Sequence, residues 1–254
     1  MIRTQMISPR SLALVAGLAL LGPAAWNQAQ GQGNPNPRIA PPNSSPHGLT
    51  YSAWSVEWWK WALAIPAEVN PLLDTSGKFA SVGQSGPVWF LAGNLGGTTE
   101  RTVTVPAGKA LFFPIVNYVY WAPDDLPLAV NVAEFLELHP EDLTDEELIR
   151  LLASFSLYES DLTLTIDGVP QEDLHSHYTE SRSFRIDDTD LLDDLGVPIA
   201  EENLSVSAGY WYMIAPLSMG EHTIQFTASV DNPFFGQFEV DVTYNITVAA
   251  PKIR

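Results

Sequence analysis

Residues 237–248 read QFEVDVTYNITV. Val240, Val242, Tyr244, Ile246 and Val248 alternate with Asp241, Thr243, Asn245 and Thr247. A period of two puts the first set on one face of a strand and the second set on the other. The signature recurs upstream. HTIQFTASV (222–230) precedes the turn DNPFFG (231–236), and GYWYMIAPL (209–217) precedes the turn SMGE (218–221). LTLTIDG (162–168) closes on Asp167-Gly168, a strong turn signal, and SFRI (183–186) follows it. RTVTVP (101–106) places Val103 and Val105 on one face, and VWFLAG (88–93) is a short apolar strand ending in glycine. KALFFPIVNYVYW (109–121) is apolar on both faces, so it reads as a central strand buried on both sides. Pro114 marks a bulge or break within it. About eight short strands with turn residues between them predict a mainly β chain, an antiparallel sandwich or jelly roll. The competing arrangement is two small β units, 48–125 and 160–250, bridged by helices.

Two helical regions decorate this pattern. YSAWSVEWWKWALAIP (51–66) holds four of the eight tryptophans. At helical spacing Tyr51, Trp54, Trp58, Trp61 and Ile65 fall within an arc of about 80°, a narrow stripe suited to a core. Trp59 lies about 140° from Trp54 on the same wheel, which leaves it for a ligand or a second packing layer. Thr50 or Ser52 can cap the start, and Pro66 stops the helix. A helical insert is expected at about 131–157. NVAEFLEL (131–138) has Asn131 as cap, and TDEELIRLLASF (144–155) carries a capping box from Thr144 and Glu147.

Residues 1–31 read as a signal peptide. Arg3 and Arg10 precede the apolar run SLALVAGLALLG (11–22), too short to span a bilayer, and small residues follow Pro23. An uncleaved anchor is the alternative. NQAQGQGNPNPRIAPPNSSPHG (27–48) is rich in Pro, Asn, Gly and Ser, so 32–48 reads as a flexible linker before one domain at 49–250. The protein is therefore expected to be exported, periplasmic or extracellular, with no membrane insertion after cleavage.

Thirty acids against twelve bases give a formal charge of −18, and losing residues 1–31 removes two arginines and no acid. Such a field repels phosphate backbones and anionic headgroups, so nucleic acid is not an expected partner. The absence of cysteine removes disulfides, thiol nucleophiles, Cys-based metal sites and a lipid-modified N-terminal cysteine.

WSVEWWKWALAIP (54–66), GQSGPVWFLAG (83–93) with RTVTVPAGKALFFPIVN (101–117), and GYWYMIAPLSMGEHTIQF (209–226) together resemble a group of uncharacterised exported bacterial proteins. The resemblance spans most of the mature chain, implies one unit, and carries no activity. VPAG before an apolar strand is also similar to cupin-like barrels, whose metal-binding histidine motif is missing here.

No nucleophile elbow, zinc-protease helix, phosphate loop or calcium-loop spacing is present. Catalysis, if any, would use acids from distant elements, for which Glu57, among tryptophans, and Glu221 are the isolated candidates. Asn117 within FFPIVNYVYW is expected either to bond nearby backbone or to face a pocket with Gln84, Tyr118, Tyr120 and Trp121. His175 and His177 would share a face in a strand, as two metal ligands do, with His222 as a third; surface histidines are the alternative. Asp187, Asp188, Asp190, Asp193 and Asp194 crowd eight residues and form either a solvated acidic loop or a Ca2+ site. No cofactor is otherwise expected. The composition suits a secreted binding module for an extracellular polymer such as carbohydrate or envelope material. A secreted hydrolase or lyase using cleft carboxylates, and a structural envelope or matrix protein, are the alternatives.

Overall fold

A computed structural model describes residues 38–250; the signal-peptide reading lies outside the described residues. The order is helix α1 (Tyr51–Leu63), strands β1 (Val88–Phe90), β2 (Gly97–Pro106) and β3 (Ala110–Ala122), helices α2 (Leu126–Phe135) and α3 (Asp145–Phe155), and strands β4 (Ser160–Ile166), β5 (Val169–Pro170) and β6 (Tyr178–Glu180). Helix α4 (Asp190–Leu195) and strands β7 (Leu204–Ile214), β8 (Gly220–Asn232) and β9 (Gly236–Ala249) complete it. The protein is mainly β, with two sheets ordered β1-β3-β7-β6 and β2-β9-β8-β4-β5.

Both sheets are mixed, which corrects the expectation of antiparallel pairing throughout. β1 runs parallel to β3, and β2 runs parallel to β9 over ten residue pairs. Alternation reveals which face of a strand is buried; it carries no information about the direction of the neighbour. SFRI contributes only a bridge between Phe184 and Ser205. The first mid-chain helix starts at Leu126, five residues before Asn131, which lies inside it. The second begins as its capping box requires: Thr144 accepts from the Glu147 N–H, and the Glu147 carboxylate accepts from the Thr144 N–H.

β3 is buried on both faces by different partners. Leu111, Phe113 and Ile115 join Phe226, Val242 and Tyr244 of the other sheet, together with Val132 and Leu152 of α2 and α3, in one apolar cluster. Phe112 faces the other way and joins Trp211 and Met213 of β7 beneath α1. Pro114 marks the irregularity predicted for it, since the β3–β7 register shifts between Pro114 and Asn117.

The α1 stripe is core. Trp58 is fully buried and donates from Nε1 to the Leu91 carbonyl at 3.0 Å. Trp54 and Trp61 donate to Pro46 and Val82 carbonyls at 2.8 and 3.0 Å. The Tyr51 hydroxyl donates to the Ala40 carbonyl and accepts from the Met213 N–H. Ile39 bridges Ile214, and the Ala215 N–H donates to the Arg38 carbonyl. Residues 38–40 of the expected flexible linker are thus held against the end of β7. Among the described residues no helix is long and apolar enough to cross a membrane.

Candidate functional site

β1 pairs with β3 only from Ala110 to Phe112, so the edge of β3 opposite β7 is uncovered beyond that point. A cavity of about 350 Å3 opens there. Residues 115–121 of β3 form one wall, Trp59 and Leu63 of α1 a second, and Leu191, Leu192 and Leu195 of α4 a third. Leu72, Leu73, Gly93–Leu95, Val197, and Phe238 and Val240 of β9 complete it. The lining is almost wholly apolar and holds no carboxylate.

The cavity gathers Trp59, Asn117, Tyr118, Tyr120 and Trp121, four of the five expected ligand-binding residues with their neighbour Tyr120. Trp59 is partly buried, meets Trp58 edge to face at 5.1 Å, and donates from Nε1 to Ser207 Oγ at 2.9 Å. Tyr118 and Tyr120 stack with centroids 6.2 Å apart and planes inclined by 6°. Burial pushes the Tyr118 phenol up to about 12, helped by the neighbouring Tyr120. Tyr120 is raised by burial too, opposed by its hydrogen bond with Ser156. Trp121 donates its indole N–H to the Pro198 carbonyl at 3.2 Å.

Gln84 is elsewhere. Its amide donates to the Ala80 and Phe90 carbonyls and accepts from the Phe90 N–H, bracing the loop before β1. The α4 leucines are masked in the sequence, because DDTDLLDDLG reads first as acidic. Their spacing at 191, 192 and 195 was the available signal.

The uncovered edge offers main-chain groups as well. The Trp121 N–H donates to the Asp125 carboxylate and the Trp121 carbonyl accepts from the Asp125 N–H, so both point away from β7. The two-residue strand period turns the N–H and C=O of Asn117 and Val119 toward the same edge. Burial raises the Asp125 carboxyl, against the lowering effect of the Trp121 N–H.

Asn117 and Trp211 both approach Gly209. A Cβ on Gly209 would stand 2.7 Å from Asn117 Cβ and 2.8 Å from Trp211 Nε1. Asn117 Nδ2 and Trp211 Nε1 are buried and lack partners.

The remaining candidates do not converge. Glu57 is exposed on the solvent face of α1, not enclosed among the tryptophans. Glu221 is exposed on β8 and accepts from Thr247 Oγ1 at 2.9 Å. His175 and His177 sit in a 3-10 turn (Leu174–His177), not a strand, so they diverge. His175 is exposed, with Nε2 2.8 Å from the Ser160 carbonyl. His177 is buried against Tyr212 at 4.5 Å, and burial lowers its pKa. Asp190, Asp193 and Asp194 lie on α4, with Asp194 accepting from the Ala67 N–H. Asp187 pairs with Arg185 at 2.9 Å, and Asp188 is exposed. Among the described residues no three His, Asp or Glu side chains are grouped to hold a metal ion.

No family model, curated protein or solved structure matches the chain.

Proposed function

We propose that the chain is an exported binding protein, built as a two-sheet sandwich, whose apolar cavity takes one compact and largely apolar molecule. The observation that carries this reading is the cavity of about 350 Å3 at the bare edge of β3. Its size falls within the range of small-molecule sites, and its chemistry is theirs: an apolar wall with a few polar groups. Trp59 and the stacked Tyr118–Tyr120 pair supply aromatic faces, and the Asn117 and Val119 main chain supplies directional bonds.

The cavity favours this ligand over the polysaccharide first expected. A polymer module needs aromatic rings in an open row, whereas Trp59, Tyr118 and Tyr120 are half-buried in the walls of one cavity. A carboxylate hydrolase working in this cavity would lack its acids, since none lines it.

The ligand would carry a hydrogen-bond acceptor. Asn117 Nδ2 and Trp211 Nε1 are both donors, and two donors cannot satisfy each other. Asn117 lines the cavity, so an acceptor on the ligand would give its amide the partner it lacks.

Titration with the apolar fluorophore N-phenyl-1-naphthylamine tests the reading. Saturable binding to one site is expected, with energy transfer from tryptophan. Leu195 is exposed at the cavity wall, so Leu195→Arg should fold normally and abolish binding. Binding that is absent in the parent protein, or unchanged in Leu195→Arg, would overturn the proposal. A saturable response to a soluble glycan with none to the fluorophore would restore the polymer reading.

A further inference from the structure

A separate group of side chains meets where the β4–β5 turn approaches the start of β8. His222 Nδ1 lies 2.7 Å from Asp167 Oδ2, and His222 Nε2 lies 3.3 Å from Ser218 Oγ. The order is carboxylate, imidazole, hydroxyl, with each ring nitrogen on the side that proton transfer requires. These residues line a cavity of about 290 Å3 together with Arg38, Ala215 and Leu217, and none of them lines the apolar cavity.

Each member is held by the fold. Asp167 takes a left-handed backbone (φ 51°) in the turn after β4, and its Oδ1 accepts from the Thr223 N–H at 2.8 Å. Its N–H donates to the Thr223 carbonyl at 2.7 Å. The carboxylate is thereby aimed at the ring. The His222 side chain is 11% exposed, so water competes little for its bonds. Ser218 is exposed and open to a substrate. Nε2 also stands 3.0 Å from the Ser218 carbonyl. With Nδ1–H donating to Asp167, an unprotonated Nε2 is placed to accept from the Ser218 hydroxyl. Once Nε2 takes that proton, the Ser218 carbonyl can hold it.

We propose that Ser218, His222 and Asp167 form a nucleophilic site for small carboxylic esters. Ser218 Oγ attacks the ester carbonyl carbon and passes its proton to His222 Nε2. The tetrahedral adduct collapses, the C–O bond to the alcohol breaks, and the departing alkoxide takes the proton from Nε2. Water then attacks the acyl-Ser218 carbonyl, giving a proton to Nε2. Collapse frees the carboxylic acid and returns the proton to Ser218 Oγ. Ester and water become acid and alcohol, with no other reactant. Arg38, a cation lining the cavity, offers charge to the developing oxyanion. Asp167 is a positioning residue, acting through His222.

The test uses the mature protein with p-nitrophenyl acetate and with a fluorophosphonate probe read by intact mass and peptide mapping. Turnover above the imidazole-catalysed background and a single label on Ser218 are expected. Ser218→Ala should lose both, and His222→Gln should slow acylation by about a hundredfold or more. Asp167→Asn should lower kcat at unchanged KM, with part of the loss returned in Asp167→Glu. Leu195→Arg should leave the hydrolysis intact, which separates this site from the apolar cavity. Circular dichroism checks that each variant is folded. Hydrolysis at background level, a label elsewhere than Ser218, or unchanged turnover in folded Ser218→Ala would each overturn the proposal.

Discussion

Replacing Trp58 and Trp59 one at a time by alanine separates core from site on adjacent residues of one helix. Trp58 is 0% exposed, and its ring touches Trp59, Trp61 and Trp211 edge to face. A buried indole removes about 150–250 Å2 from water, which at about 25 cal/mol per Å2 is worth roughly 4–6 kcal/mol. The Leu91 carbonyl would lose its indole donor, at about 1 kcal/mol more, while partial collapse of the cavity would return some of the total. Trp58→Ala should therefore destabilise the protein by about 4–6 kcal/mol. Trp59 is only partly buried and has one side-chain hydrogen bond to lose, so Trp59→Ala should cost about 2 kcal/mol. The assay is urea denaturation followed by far-ultraviolet circular dichroism, since fluorescence changes with every tryptophan removed. The slope of free energy against urea should stay constant while the midpoint falls. Trp58→Phe, which keeps a ring, provides a folded companion if the alanine variant fails to accumulate. Trp59→Ala should lose most of its affinity for the apolar fluorophore, and folded Trp58→Phe should keep it. A cost for Trp58→Ala below about 2 kcal/mol, or no larger than that of Trp59→Ala, would refute the assignment of the stripe to the core.

Gly209→Ala should cost about 1–3 kcal/mol in thermal or urea denaturation, because its Cβ would stand within 2.9 Å of Asn117, Trp211 and the Val116 carbonyl, all held in a sheet. Arg101 is 1% exposed and donates to the Asp74, Ala92 and Gly93 carbonyls and the Tyr244 hydroxyl. Arg101→Met should cost about 3 kcal/mol by the same measurement, since it strands buried acceptors. Alkali should unfold the protein as unfolded tyrosines ionise. Burial raises Tyr51 from 10.0 to about 12, so the folded state holds its proton more tightly. That contribution is complete below pH 10 and is lost as the pH rises to about 12, at roughly 1.4 kcal/mol per unit. Phenolate absorbance at 295 nm should therefore rise together with loss of circular dichroism. Ionisation of Tyr51 in a protein that stays folded would contradict it.

Faces were legible in the sequence and neighbours were not. The alternation of 237–248 and the stripe of 51–65 each describe one element against an unspecified core. Burial follows them closely: Val240, Val242, Tyr244, Ile246 and Val248 are inside, and so are Tyr51, Trp54, Trp58, Trp61 and Ile65. The capping box at Thr144 was legible for the same reason, since all its partners lie within three residues. The cavity was half legible. Asn117 stood out as an amide in an apolar strand and Trp59 as the residue off the stripe. Gln84 was equally plausible and proved to be a loop brace, because its partners Ala80 and Phe90 satisfy it locally.

Residue order alone sets the local features: strand and helix periods, caps, turns, and which side of each element seeks the core. The hydrophobic effect acts on residue type and spacing alone, so those features need no knowledge of the partner. Long-range packing settles that β1 and β2 pair in parallel, that β1 is too short to cover β3, and that α4 brings its leucines to the bare edge. It alone brought Asp167 to His222 across 55 residues of chain. Those outcomes depend on which distant segments meet, and the energies that select them come from contacts formed only when the whole chain packs.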